Sequence, residues 1–194
     1  MFKSYGRKPG LPVDRNIEGP LAEYAALRQE VTARLGFMHQ LMALQLTITG
    51  TIVAVSFSAS GRLDLLLVLP WTSYLLCGRY ISQEYGIDRI GEYHQRHLAR
   101  IIPGSLGWEK WMVDHPRRFA ILGWRIPLIV AFPGAAIFAL ALGAKQVFEV
   151  RQYSVIAVAL IILWFVGVIL TILSVITINW IPHYRKKTYI VPLD

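Results

Sequence analysis

Asp88, Glu92, His94 and His97 stand within ten positions of one another, with Asp114 and His115 further along the chain. Carboxylates and imidazoles are the side chains that hold a zinc ion or move protons. His94 and His97 are three apart and share a face if the segment is helical. Glu92 points away from them, and no distant pair has a recognised ligand spacing. Glu92, His94 and His97 are therefore weak metal candidates, and a solvated helix laced with ion pairs is the plainer reading. The chain has no H-E-x-x-H, no Walker loop, no G-x-S-x-G and no dinucleotide fingerprint. No catalytic residue and no cofactor-binding residue is assigned, and no cofactor is expected. His39 and His183 read as interfacial residues, and the lone Cys77 reads as a small apolar packing residue.

A second group is uncharged. Met38, Met42, Gln45, Thr49, Ile52 and Ser56 fall on one helical face within an apolar stretch. Gln45, Thr49 and Ser56 form a polar stripe there. Such a stripe either lines a pore or bonds one helix to another, because lipid offers no hydrogen-bond partner. Ala131, Ala135, Ala139 and Gly143 recur every fourth residue. That small-residue stripe lets two backbones approach closely, within the chain or between copies. A third set is Trp108, Trp111, Arg117, Arg118 and Arg125, a basic and aromatic belt suited to anionic lipid headgroups.

The elements that carry these residues are four long apolar stretches, at 35–57, 65–81, 126–143 and 155–181. Crossing a hydrocarbon core about 30 Å thick takes about 17–25 residues. Residues 155–178 include no charged side chain at all. Over the 194 residues, 55% are hydrophobic and 16% charged. A globular domain carries about 25% charged residues. These features predict an all-α, polytopic membrane protein with four transmembrane helices in two hairpins. No Asp, Glu, Lys or Arg lies near the middle of any span, which argues against a proton-coupled transporter or an intramembrane aspartyl protease.

Between the spans the pattern predicts helices in water. Residues 21–35 carry an apolar stripe and run into span one without a breaker, with Pro20 as the expected first helical residue after a flexible tail over 1–19. No cleavable signal peptide is expected, so span one itself directs the chain to the membrane. Residues 58–62 read as a tight turn, and Pro70 is expected to kink span two. Span two continues into an amphipathic helix over 78–101, whose stripe of Glu84, Asp88, Glu92, Arg96 and Arg100 is expected to face solvent. That helix is expected to pack on 21–35. An interfacial segment covers 103–118, Pro127 and Pro133-Gly134 make span three irregular, 144–153 reads as a loop, and 182–194 is a basic tail.

The net charge is +8, and 17 of the 20 Lys and Arg residues fall in 1–34, 79–125 and 182–194. The positive-inside rule then predicts that both termini and the middle segment are cytoplasmic. Basic residues in those places meet anionic lipid, and nucleic acid is not an expected partner.

Two stretches carry a resemblance. One is Glu23-Tyr24-Ala25-Ala26-Leu27-Arg28-Gln29-Glu30 with Arg34-Leu35-Gly36-Phe37-Met38-His39-Gln40-Leu41. The other is the run 87–93 followed by Gly107-Trp108-Glu109. Over about residues 21–112 the chain resembles small, uncharacterised bacterial four-span integral membrane proteins with a cytoplasmic helical layer. The resemblance implies a bacterial plasma-membrane location and supplies no catalytic residue. The expected function is non-enzymatic: a membrane module that self-associates, as a homo-oligomer, or binds a membrane or cytoplasmic protein partner. The alternatives are a pore or membrane-disrupting effector lined by span one, and a membrane-embedded lipid-processing or metal-dependent enzyme.

Overall fold

A computed structural model describes residues 15–58, 62–102, 123, 125–149 and 155–188. All regular structure among them is helical. Four helices are long and apolar enough to cross a membrane: Ile17–Ser56, Leu63–Ile101, Ile126–Ala144 and Val155–Asn179.

Helix α1 is Arg15–Ser56, a single rod of 42 residues. At 1.5 Å per residue it is about 63 Å long, roughly twice the hydrocarbon thickness. The helix begins inside the stretch expected to be a tail, and Pro20 lies in its second turn rather than at its start. A proline so close to the N-terminus forfeits one backbone bond, and the rod continues through it. Of the expected 58–62 turn, residues 59–61 lie outside the described residues.

Span two opens as a 3₁₀-helix, Leu63–Val68, and becomes α2, Leu69–Tyr93. Pro70 lies in the first turn of α2, directly after the 3₁₀ segment, where its missing N–H costs nothing. Past α2 comes a π-helical turn, His94–Leu98, and then a short α3, Ala99–Ile101. As the sequence predicted, one helical path leads from span two to Ile101.

Span three is α4 (Ile126–Ile129), a π-helical turn (Val130–Gly134) and α5 (Ala135–Glu149). The irregularity expected here is the π turn, which encloses Pro133. The helix persists to Glu149, into the expected loop, because Ala144–Glu149 contains no breaker. Span four is α6, Val155–Thr188, which passes Pro182. The interfacial segment over 103–118, the first 14 residues and the last six lie outside the described residues.

Span two is the hub of the bundle, touching α1, α5 and α6. One buried cluster joins all four spans through Met38, Leu41, Cys77, Tyr80, Phe132 and Ile178. A second joins Leu66, Leu69 and Ala139, with Ile48 and Ile52 of α1 against it. A third joins Leu67, Leu140 and Val147, with Leu160 and Trp164 of α6 against it. Outward from the bundle the helices present Leu46, Leu75, Val130 and Ile162, side chains whose natural surroundings are acyl chains.

Candidate functional site

The polar stripe of span one turns inward. Met38, Gln45 and Ser56 are buried, and Gln45 has no exposed surface. Its Nε2 donates to Ser73 Oγ at 2.7 Å, to the Ala131 carbonyl at 3.1 Å and to Thr49 Oγ1 at 3.2 Å. Three oxygens from three spans thus surround one amide near mid-depth. Ala131 lies in the π turn, where the Ala135 N–H bonds to the Phe132 carbonyl, and Gln45 adds a side-chain donor to the Ala131 carbonyl. The amide is held within one copy of the chain. Its Oε1, and the Oγ of Ser56, have no hydrogen-bond partner among the described residues.

The small-residue stripe also faces inward. Ala131, Ala139 and Gly143 are buried and Ala135 is half-buried. Ala139 packs on Leu66 and Leu69, and a Cβ on Gly143 would come within 3.1 Å of Leu67 Cδ2. The stripe is where span three meets the 3₁₀ start of span two. A matching contact on span four escaped the sequence reading. A Cβ on Gly167 would stand 3.0 Å from Leu140 Cδ2 and 3.2 Å from Pro70 Cγ. Gly167 has no side chain, and that lets the Pro70 ring and Leu140 approach its backbone closely. No spacing in the sequence pairs them, because they belong to separate helices.

Beyond the bundle, the N-terminal part of α1 and the C-terminal part of the span-two helix pair antiparallel, as expected. Arg34 Nη1 donates to Gln83 Oε1 at 3.1 Å, and its Nε donates to Glu30 at 2.9 Å. Tyr93 donates its hydroxyl to Glu23 Oε1 at 2.8 Å. That bond, with the Glu23 charge beside it, pushes the Tyr93 phenol above its ordinary pKa. Tyr24 lies against His94, ring centroids 5.0 Å apart.

This arm divides the three metal candidates. His94 is buried beneath Tyr24, whereas His97 is exposed and stacks on Tyr93 with centroids 5.2 Å apart. Glu92 pairs with Arg96 at 3.0 Å. The π turn places His94 and His97 on different sides of the helix, so Glu92, His94 and His97 do not converge. Among the described residues no three His, Cys, Asp or Glu side chains gather as a metal would need. The acidic stripe expected to face solvent departs from that expectation at one place: Glu84 is buried. Its position on the helix lies nearer Cys77 and Tyr80 than Asp88 and Glu92 do, and so it turns with them into the bundle.

Along the arm, Tyr85, Arg89, Tyr93, His97 and Arg100 are exposed. The first four are spaced every fourth residue and make an aromatic and basic row. Of the lipid-headgroup candidates, Arg125 donates to Asn179 Oδ1, tying the start of span three to span four. Trp108, Trp111, Arg117 and Arg118 lie outside the described residues.

No protein family matches this chain, and neither does any curated protein or any solved structure.

Proposed function

We propose that this chain is a non-enzymatic membrane module that self-associates or binds a protein partner through the paired helices outside the bilayer. The observation that carries the reading is the arm itself. Two helices continue well past the length a membrane needs, hold each other by Arg34–Gln83 and Tyr93–Glu23, and leave Tyr85, Arg89 and His97 open to solvent. Inside the bilayer, by contrast, the polar and small residues that would mediate assembly face other helices of the same chain. The location we propose is a bacterial plasma membrane with both termini cytoplasmic, on the strength of the charge distribution. That puts the arm in the cytoplasm.

Photoreactive amino acids placed at Tyr85, Arg89 and lipid-facing Leu46 test this in native membranes. A cross-linked product is expected from positions 85 and 89 and not from 46. A mass of twice the chain means self-association, and any other mass means a different protein. No product from 85 or 89 defeats the reading. Reporters fused to the two termini are expected to report the same compartment.

A further inference from the structure

A groove runs between spans three and four on the outer surface of the bundle, and we infer that it holds one acyl chain of an anionic phospholipid whose phosphate sits on Arg125. The groove has a volume of about 460 Å³. Ile137, Ala141 and Ala144 form one wall, and Trp164, Val168 and Ile176 form the other. A volume of that size lies within the range of small-molecule sites, about 300–1,000 Å³. Alanines make it: Ala141 and Ala144 leave space where the larger neighbours Ile137 and Trp164 stand proud.

The groove offers a polar guest nothing. Its two polar side chains are already bonded to backbone, Trp164 Nε1 to the Leu140 carbonyl at 3.0 Å and Thr171 Oγ1 to the Gly167 carbonyl at 2.8 Å. An apolar guest is therefore required along its length. At one end the chemistry changes. Val175 and Ile176 line the groove, and Asn179 lies one turn further on the same face of α6, with its Nδ2 bonded to the Val175 carbonyl at 2.9 Å. Asn179 accepts the guanidinium of Arg125. A guanidinium has five N–H donors in a fork that suits phosphate. The Asn179 bond ties the fork to the residue one turn beyond Val175 and leaves donors over. An apolar channel that ends at a fixed cation complements a molecule with a hydrocarbon tail and a negative head, and the bilayer is its source.

This inference does not depend on the arm as a binding surface. It can be tested by native mass spectrometry of the full chain released from micelles containing equal amounts of phosphatidylglycerol and phosphatidylcholine. One retained lipid is expected, with phosphatidylglycerol favoured by about tenfold, which corresponds to about 1.4 kcal/mol. Arg125→Gln should bring the preference to within about twofold while a lipid of either kind is still retained, a loss of about fivefold, or about 1 kcal/mol. Ala141→Phe, a change at an exposed position, should fill the groove and abolish retention of both. Far-ultraviolet circular dichroism checks that each variant is folded. Equal retention of the two lipids by the native chain overturns the proposal, and so does an undiminished preference in Arg125→Gln. A dimer that Ala141→Phe dissolves, with no lipid preference, overturns it too and gives the groove to a second copy of the chain.

Discussion

The bundle and the arm use the same two helices in opposite ways. Within the bundle, α1 meets the other spans through Met38, Leu41 and a fully enclosed Gln45, and neighbouring helices fit against Gly143 and Gly167. In the arm, the same α1 touches its partner along one narrow strip, at Glu23, Tyr24 and Arg34. The solvent explains the difference. In hydrocarbon a polar group must find its partner within the protein, and helices gain most from close packing. In water the arm's polar side chains would be satisfied wherever they point, so a narrow strip of contacts suffices. The bundle is therefore committed to its own fold, while the arm has surface to offer.

Several substitutions would break or sharpen that contrast. The largest effect is expected from Gly167→Leu, which drives a side chain into Pro70 and Leu140. Overpacking of this kind costs about 1–3 kcal/mol, to be read from equilibrium unfolding in mixed micelles. Next is Gln45→Leu. It removes two N–H donors shared among three oxygens within the membrane, each bond worth about 0.6 kcal/mol on average, for a loss of about 1 kcal/mol. An unchanged unfolding curve would mean that the amide does not hold the bundle together. Tyr93→Phe should leave the unfolding of the bundle alone and speed amide exchange locally in the arm. If exchange also quickened in the spans, arm and bundle would be one cooperative unit. The smallest effect is expected from Arg96→Gln, which breaks an exposed pair with Glu92. A surface pair four residues apart contributes about 0.3–0.5 kcal/mol, less in high salt.

Much of this was legible in the chain. Four helices were readable because hydropathy is a local sum. The pairing of 21–35 with 78–101 was readable because each carries its own apolar stripe. The inward placement of Ala139 and Gly143 was one of two options that the small-residue spacing left open. Other features were not readable. Pro70 stands at a change from 3₁₀ to α-helix, which no local pattern marked. His94 and His97 looked like one face until the π turn divided them. Glu84 looked like part of a wet stripe, yet its position turns it into the bundle. The polar group of span two that meets Gln45, Ser73, was not singled out at all. Its one sequence signal is a lone serine at the same depth.

What the sequence determined by itself is the solvent of each segment. Runs without charge belong in hydrocarbon, and runs with charge at helical spacing belong in water, because transfer energies add residue by residue. What the tertiary structure decided is which residue completes which. Gln45 finds a hydroxyl 28 positions away and a carbonyl 86 positions away, and Arg125 finds Asn179 across 54. Such partners depend on the rotation and depth of each helix against its neighbours, and packing of the whole bundle sets these, not any local pattern.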